Sequence, residues 1–132
     1  MEAQCPQPRR EPAFDAESEA YTLFCRGMGF LETKHPAQAA MLLSRALELE
    51  PGRSSIREAL GRAEFALGHH ASAEELFAAV LTDVPDNDYA HYALARCLLE
   101  EGRGEEARAH MRLARALCPS SELYRRALER ID

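Results

Sequence analysis

The sequence predicts an all-α protein: a solenoid of three helix–turn–helix repeats closed by a C-terminal capping helix. Three observations predict it. One set of residues recurs at a spacing of 34: Arg26-Gly27, Ala39, Leu43 and Pro51, then Leu60-Gly61, Ala73, Phe77 and Pro85, then Leu94-Ala95, Ala107, Met111 and Pro119. Self-similarity at this period, with a small residue in each helix and a closing proline, marks stacked helix pairs. Between these landmarks the apolar positions follow helical periodicity. The composition agrees: Trp is absent, and Phe and Tyr number only 5 and 4 in 132 residues. A core built mainly from Ala and Leu suits helices better than sheets.

Each element has its own signals. Residues 1–13 (MEAQCPQPRREPA) hold three prolines and almost nothing apolar, so they are expected to be a disordered tail, one capable of lying extended over a neighbouring surface. The repeat domain is expected over 14–132, with repeats at about 20–53, 54–87 and 88–121. The first helix should run from Glu17 to Glu32, its first turn favoured by Asp15, Glu17 and Glu19. Pro36 fits the first position of the second helix, which ends at Pro51-Gly52. Ser55-Ile56-Arg57-Glu58 reads as a capping box opening the third helix, and Gly68 as its stop. The fourth spans His70 to Thr82 and stops before Pro85. Asp86-Asn87-Asp88 supplies good caps for the fifth. Gly102-Arg103-Gly104 turns the chain into the sixth, and Pro119 ends that helix. The last helix, about 121–131, carries Leu123, Tyr124, Ala127, Leu128 and Ile131 with charged residues between them. A stacked array needs such a terminal unit with one polar face.

Gly27, Gly61 and Ala95 share one offset, and Ala39, Ala73 and Ala107 another. Small residues there let the helices of a pair approach closely, while Leu43, Phe77 and Met111 fill the space between them. This pattern resembles the tetratricopeptide repeat family, whose motif sets a Leu-Gly pair, an aromatic three residues on, an Ala, a Phe four residues later, and a final Pro. The resemblance implies a right-handed α-solenoid. Two departures are visible. The large aromatic that often opens a unit is replaced by Leu23, Arg57 and His91, and Glu64 replaces the mid-helix aromatic.

The resemblance also implies a non-enzymatic interaction module in which the first helix of each unit lines a concave groove that takes a protein or peptide. The offsets assign Tyr21, Phe24 and Met28 from the first unit to that groove, Ser55, Glu58 and Arg62 from the second, and Tyr89, Tyr92 and Arg96 from the third. Within each helix these lie at i, i+3 and i+7, on one face. The expected site is therefore an aromatic and arginine surface, since Tyr, Phe and Arg anchor interfaces and Arg grips carboxylates in bidentate fashion. The alternative is that Phe24 and Met28 pack on the neighbouring helix and that Arg62 and Arg96 pair with Glu58 and nearby acids. Chaperone-binding members clamp a terminal carboxylate with Lys, Asn and Arg; Phe24, Met28, Ala59, Tyr89 and Ala93 stand at the matching positions and cannot do so. A small secretion-type chaperone and a self-associating module are the other readings. The partner is an unidentified protein, and the chain is expected to be a monomer or weak homo-oligomer.

Other functions have little support. The formal net charge is −6, so the basic face needed for nucleic acid is lacking. No run approaches the ~18 consecutive apolar residues of a membrane span, and the first residues have no basic-then-apolar signal pattern. The expected location is cytoplasmic. Arginine's excess over the single Lys34 reads as the mark of a GC-rich, bacterial genome. Cys5, Cys25, Cys97 and Cys118 form no CxxC pair and read as small buried hydrophobes in a reducing compartment. His35 and His69, one period apart, are expected to be solvated turn residues, His91 a satisfied interface histidine, and His110 exposed. No metal, cofactor or catalytic motif is expected, and paired acids such as Glu74-Glu75 and Glu105-Glu106 read as solvated faces.

Overall fold

The computed structural model describes residues 11–132. Among the described residues seven helices follow one another: α1 Glu19–Glu32, α2 Pro36–Leu49, α3 Ser54–Ala66, α4 His70–Asp83, α5 Asp88–Glu100, α6 Gly104–Leu117 and α7 Glu122–Ile131. They stack in sequence as helix pairs, α1 on α2, α3 on α4 and α5 on α6, with α7 closing the array on α6. No strand occurs among the described residues. The architecture is a right-handed α-solenoid with a capping helix.

The 34-residue period is written into the backbone as well as the sequence. The turn inside each pair carries one residue with positive φ: Lys34 at 62°, Gly68 at 85° and Gly102 at 78°. Glycine enters that region without a steric penalty, so the first turn carries strain the other two avoid. The next residues, His35, His69 and Arg103, open the second helix of each pair. Glu50, Val84 and Cys118 close it with nearly identical φ and ψ. Arg53, Asn87 and Ser121 then open the helix that follows.

Close approach within a pair depends on the glycine offset. A Cβ at Gly27 would lie 2.7 Å from Leu43 Cγ, and one at Gly61 would lie 2.8 Å from Phe77 Cζ. Ala95 takes this place in the third pair, opposite the flexible Met111. Ala39, Ala73 and Ala107 are fully buried beside these contacts, as are Leu43, Phe77 and Met111. Two apolar clusters result. One joins Ala39, Ala40, Leu43, Ala59, Leu60 and Ala63; the other runs from Ala73 and Phe77 through Leu94 and Leu98 to Met111.

Caps differ in detail from the sequence reading. Ser18 caps α1, accepting from the Tyr21 N–H at 3.1 Å, so Asp15 and Glu17 precede the helix. Asn87 caps α5 through the Ala90 N–H at 3.0 Å. The expected capping box on α3 does not form. That helix starts at Ser54, and Arg53 gives no side-chain cap. Glu58 points across to α5 instead, where Asn87 Nδ2 donates to it at 3.4 Å. The α3 start is served by Glu11, whose Oε1 accepts from the Ser55 N–H at 2.7 Å. Residues 11–13, placed in the tail by composition, thus lie against the repeats; residues 1–10 and Cys5 fall outside the described residues.

The capping helix is anchored by Tyr124, which is buried and donates its hydroxyl proton to Asp88 Oδ2 at 2.7 Å. Burial and this carboxylate push its pKa up. Cys97 is buried, and burial raises its thiol pKa to about 11. Cys25 is exposed, one turn on from Tyr21, and Cys118 is disulfide-bonded, both against expectation. Glu74, Glu101 and Glu106 are not isolated solvated acids: all three converge on Arg103 at 2.7–3.1 Å. Among the described residues no helix is long and apolar enough to cross a membrane.

His91 and His110 join α5 to α6. The His91 ring is buried, and its Nε2–H donates to the Pro85 carbonyl at 2.9 Å. Its Nδ1 is therefore an acceptor and takes the Nδ1–H of His110 at 3.0 Å, with the rings stacked at 5.3 Å. His110 is half-buried rather than exposed. Burial and His91 lower its pKa from 6.5, partly opposed by Glu106. A lowered histidine pKa means that the unfolded chain binds the proton first, so stability is lost as pH falls below 6.5 toward the folded value. The melting temperature is expected to fall on acidification through this window, and His110→Ala should flatten that slope. An unchanged slope in thermal melts would remove the pair as its cause.

Candidate functional site

Three of the nine proposed groove residues meet in one cavity of about 500 Å³. Arg62 from α3 and Tyr89 and Arg96 from α5 line it together with Leu31, Phe65, Ala66, Phe77 and Ala93. Their positions follow from the repeat: Arg62 and Arg96 are one period apart on successive first helices, so stacking brings both to the wall of one cavity. Phe77 rises from the core to form the floor, and the Tyr89 ring meets it edge-on at 6.5 Å.

The electrostatics of this cavity are unusual for so acidic a chain. Neither Arg62 nor Arg96 takes part in an ion pair among the described residues. Arg96 lies over the Phe65 ring at 4.4 Å and within 5.7 Å of the Tyr92 ring, which holds its guanidinium flat while leaving the N–H groups unclaimed. Glu58 lies near Arg62 but makes no salt bridge with it, and burial raises the Glu58 pKa above its ordinary value. Burial likewise raises Tyr89. The cavity offers two cationic forks above an aromatic and aliphatic floor. Such a surface accepts a carboxylate together with an apolar side chain.

The other candidates stand elsewhere. Phe24 and Met28 are half-buried and pack against the cluster shared by α2 and α3. Tyr21 and Phe24 also carry the ring of Phe14, at 5.4 and 5.1 Å. Tyr92 turns toward the capping helix, 5.4 Å from Tyr124. Phe65 and Leu31 were missed by the sequence reading although they share one offset, a signal that was available. Arg53 and Phe14 had no such signal. No three His, Cys, Asp or Glu side chains converge on a metal-sized site among the described residues. His35 is bonded to Thr33 Oγ1 at 2.9 Å and His69 to Glu64 at 2.7 Å.

Comparison with known proteins places this geometry. The chain superposes on the first repeat domain of Spaghetti (RPAP3) bound to the HSP90 peptide SRMEEVD, with a TM-score of 0.81, 17% identity, and coverage of 86% of this chain and 90% of that one. The Arabidopsis OM64 repeat domain gives 0.82 at 20% identity, over 85% and 93% of the two chains. The Yersinia enterocolitica type III secretion chaperone SycD, in complex with a peptide of the translocator YopD, gives 0.74 at 18% identity, over 89% and 91%. These likenesses establish the fold. No match is found among curated protein sequences. The tetratricopeptide repeat model matches residues 26–88 and again 58–122, and with well over half of its length so matched, the chain belongs to the tetratricopeptide repeat family.

Proposed function

We propose that this chain is a non-enzymatic, cytoplasmic adaptor, bacterial in origin, that binds a segment of another protein in its concave groove through Arg62, Tyr89 and Arg96. The observation that carries the reading is the pair of unpaired guanidinium groups at the rim of an aromatic-floored cavity. The partner segment supplies a carboxylate to the arginines and an apolar side chain to the space over Phe65 and Phe77. In this reading Glu58 and Tyr92, on the same two helices, and Tyr21, Phe24 and Met28, in the first repeat, extend the surface beyond the cavity. No nucleic acid, membrane or cofactor enters this reading, and the protein acts as a monomer or weak homo-oligomer.

Peptide complexes of similar folds support peptide binding in general, as with the Spaghetti domain and SycD. The terminal-carboxylate clamp is disfavoured, because Phe24, Met28, Ala59, Tyr89 and Ala93 offer no cation. A secretion-type chaperone is the second reading, favoured by the likeness to SycD. Self-association is a third, favoured by Leu113 and Leu123, which are exposed near the C-terminal end. Affinity capture with wild type beside Arg62→Ala/Arg96→Ala tests the proposal. A partner retained by the wild type and lost from the folded variant is the expected result; equal retention would move the binding surface away from the arginines.

A further inference from the structure

Arg53 and the segment Glu11–Phe14 form a second constellation, about which the repeat pattern says nothing. One guanidinium reads four consecutive residues of an extended chain. Arg53 Nη1 donates to Glu11 Oε2 at 3.2 Å and to the Pro12 carbonyl, and its Nη2 donates to the Ala13 carbonyl at 2.9 Å. The same group lies over the Phe14 ring, 3.9 Å from its centroid. The ring rests on Phe24, stacked at 5.1 Å, and on Tyr21 at 5.4 Å. The Ser55 N–H holds the other Glu11 oxygen at 2.7 Å. Main-chain carbonyls read by a side chain, a carboxylate on a helix start and a ring in an aromatic slot together resemble a bound peptide more than a packed loop.

The segment is a poor structural element. It has no regular secondary structure, and Pro12 and Ala13 are exposed. Its hold on the second repeat comes from one side chain and one amide. The Ser55 hydroxyl next to that amide is buried and has no hydrogen-bond partner, so this occupant leaves the slot incompletely satisfied. Few buried contacts and solvent-facing hydrogen bonds place such a strap at the low end of local stability.

We propose that this slot is a docking site for an extended partner segment with a carboxylate three residues ahead of an aromatic ring, and that Glu11–Phe14 is the internal occupant which such a segment displaces. The strap is the template: Arg53 and the Ser55 amide take the carboxylate, Arg53 the intervening carbonyls, and Tyr21 and Phe24 the ring. The slot shares Tyr21 and Phe24 with the surface proposed above, but neither Arg62 nor Arg96 touches it, so its test is separate from theirs.

The test uses the full chain with Glu11→Ala/Phe14→Ala, which empties the slot and leaves its walls, and a fluorescent peptide of sequence Glu-Pro-Ala-Phe-Asp-Ala-Glu-Ser as probe. Anisotropy should show binding to the emptied variant and binding to wild type weaker by about tenfold or more, because the tethered strap competes at roughly millimolar effective concentration. Alanine in place of the peptide's Phe, or Arg53→Ala added to the emptied variant, should abolish binding. Equal affinity for wild type and emptied variant, or no binding to either, would overturn the proposal. Dimerisation of wild type that the emptied variant lacks would assign the slot to a second copy and overturn it too. Should the double variant not fold, hydrogen exchange of the wild type decides. The Ser55 amide should exchange about 100-fold or more faster than Ala59 and Ala63, as expected for local opening; equal rates would make the strap part of the fold.

Discussion

Phe77→Ala is expected to destabilise the protein by about 3–5 kcal/mol, the usual cost of deleting a fully buried aromatic, and to lower the melting temperature by about 10 °C or more. Phe77 is 1% exposed. Its ring fills the space that Gly61 leaves open, packs beside Ala73, and reaches the second cluster through Leu94 and Leu98. Removing it takes the central pair's main contact from the third pair, so the loss should spread along the stack. Gly61 supplies an internal control. Gly61→Ala alone places a Cβ 2.8 Å from the ring, an overpacking cost of about 1–3 kcal/mol against a helix-propensity gain of about 1 kcal/mol. In the Phe77→Ala background the clash is gone and the same change should stabilise. Chemical denaturation of the four proteins completes the cycle; a Gly61→Ala effect of the same sign and size in both backgrounds would mean that the two residues are not coupled.

Arg62→Ala/Arg96→Ala is expected to weaken partner binding by about 100-fold or more, as for central interface residues that cost at least ~2 kcal/mol each when truncated. The fold should hardly notice. Neither arginine has an ion-pair partner to lose among the described residues, and Arg96 is exposed. The loss of its stacking on Phe65 is a surface cation–π contact worth about 0.5–1 kcal/mol. Lysine at both positions should restore charge without the planar fork and recover only part of the affinity. Calorimetry on the captured partner with wild type, alanine and lysine forms separates these effects. Full recovery by lysine would reduce the site to a point charge, and full affinity of the alanine form would remove it.

Most of the fold was legible because a 34-residue period leaves the same mark at every level. Gly61 and Phe77 could be paired before any coordinates, since their partners Gly27 and Leu43 repeat the relation one unit earlier. The ends of α2 and α4 could be read from Pro51 and Pro85, whose preceding residues avoid helix. Caps were less legible. Ser55 to Glu58 matches a capping box by spacing, yet Glu58 has a competing acceptor role toward Asn87 on α5, and only the stacking of repeats brings that residue near. The strap was hidden for a similar reason. Composition weighs a segment by its average polarity, whereas Glu11 and Phe14 are held by Arg53, Tyr21 and Phe24, residues set by tertiary structure. The site was half legible. The arginine ladder could be seen in the sequence; that both arginines are left unpaired could not, because ion pairing depends on side-chain reach across helices. His110 was misplaced because its neighbour His91 lies on another helix.

Site-specific photo-crosslinking tests groove binding most directly. A photoreactive residue at Ala66, exposed at the edge of the arginine cavity, is compared with one at Ala78, exposed on α4 outside that cavity. Both substitutions replace exposed alanines and leave the repeat contacts intact. A partner that crosslinks from position 66 and not from position 78 is the predicted result. Crosslinking from position 78 alone, or equally from both, would contradict binding in the concave groove.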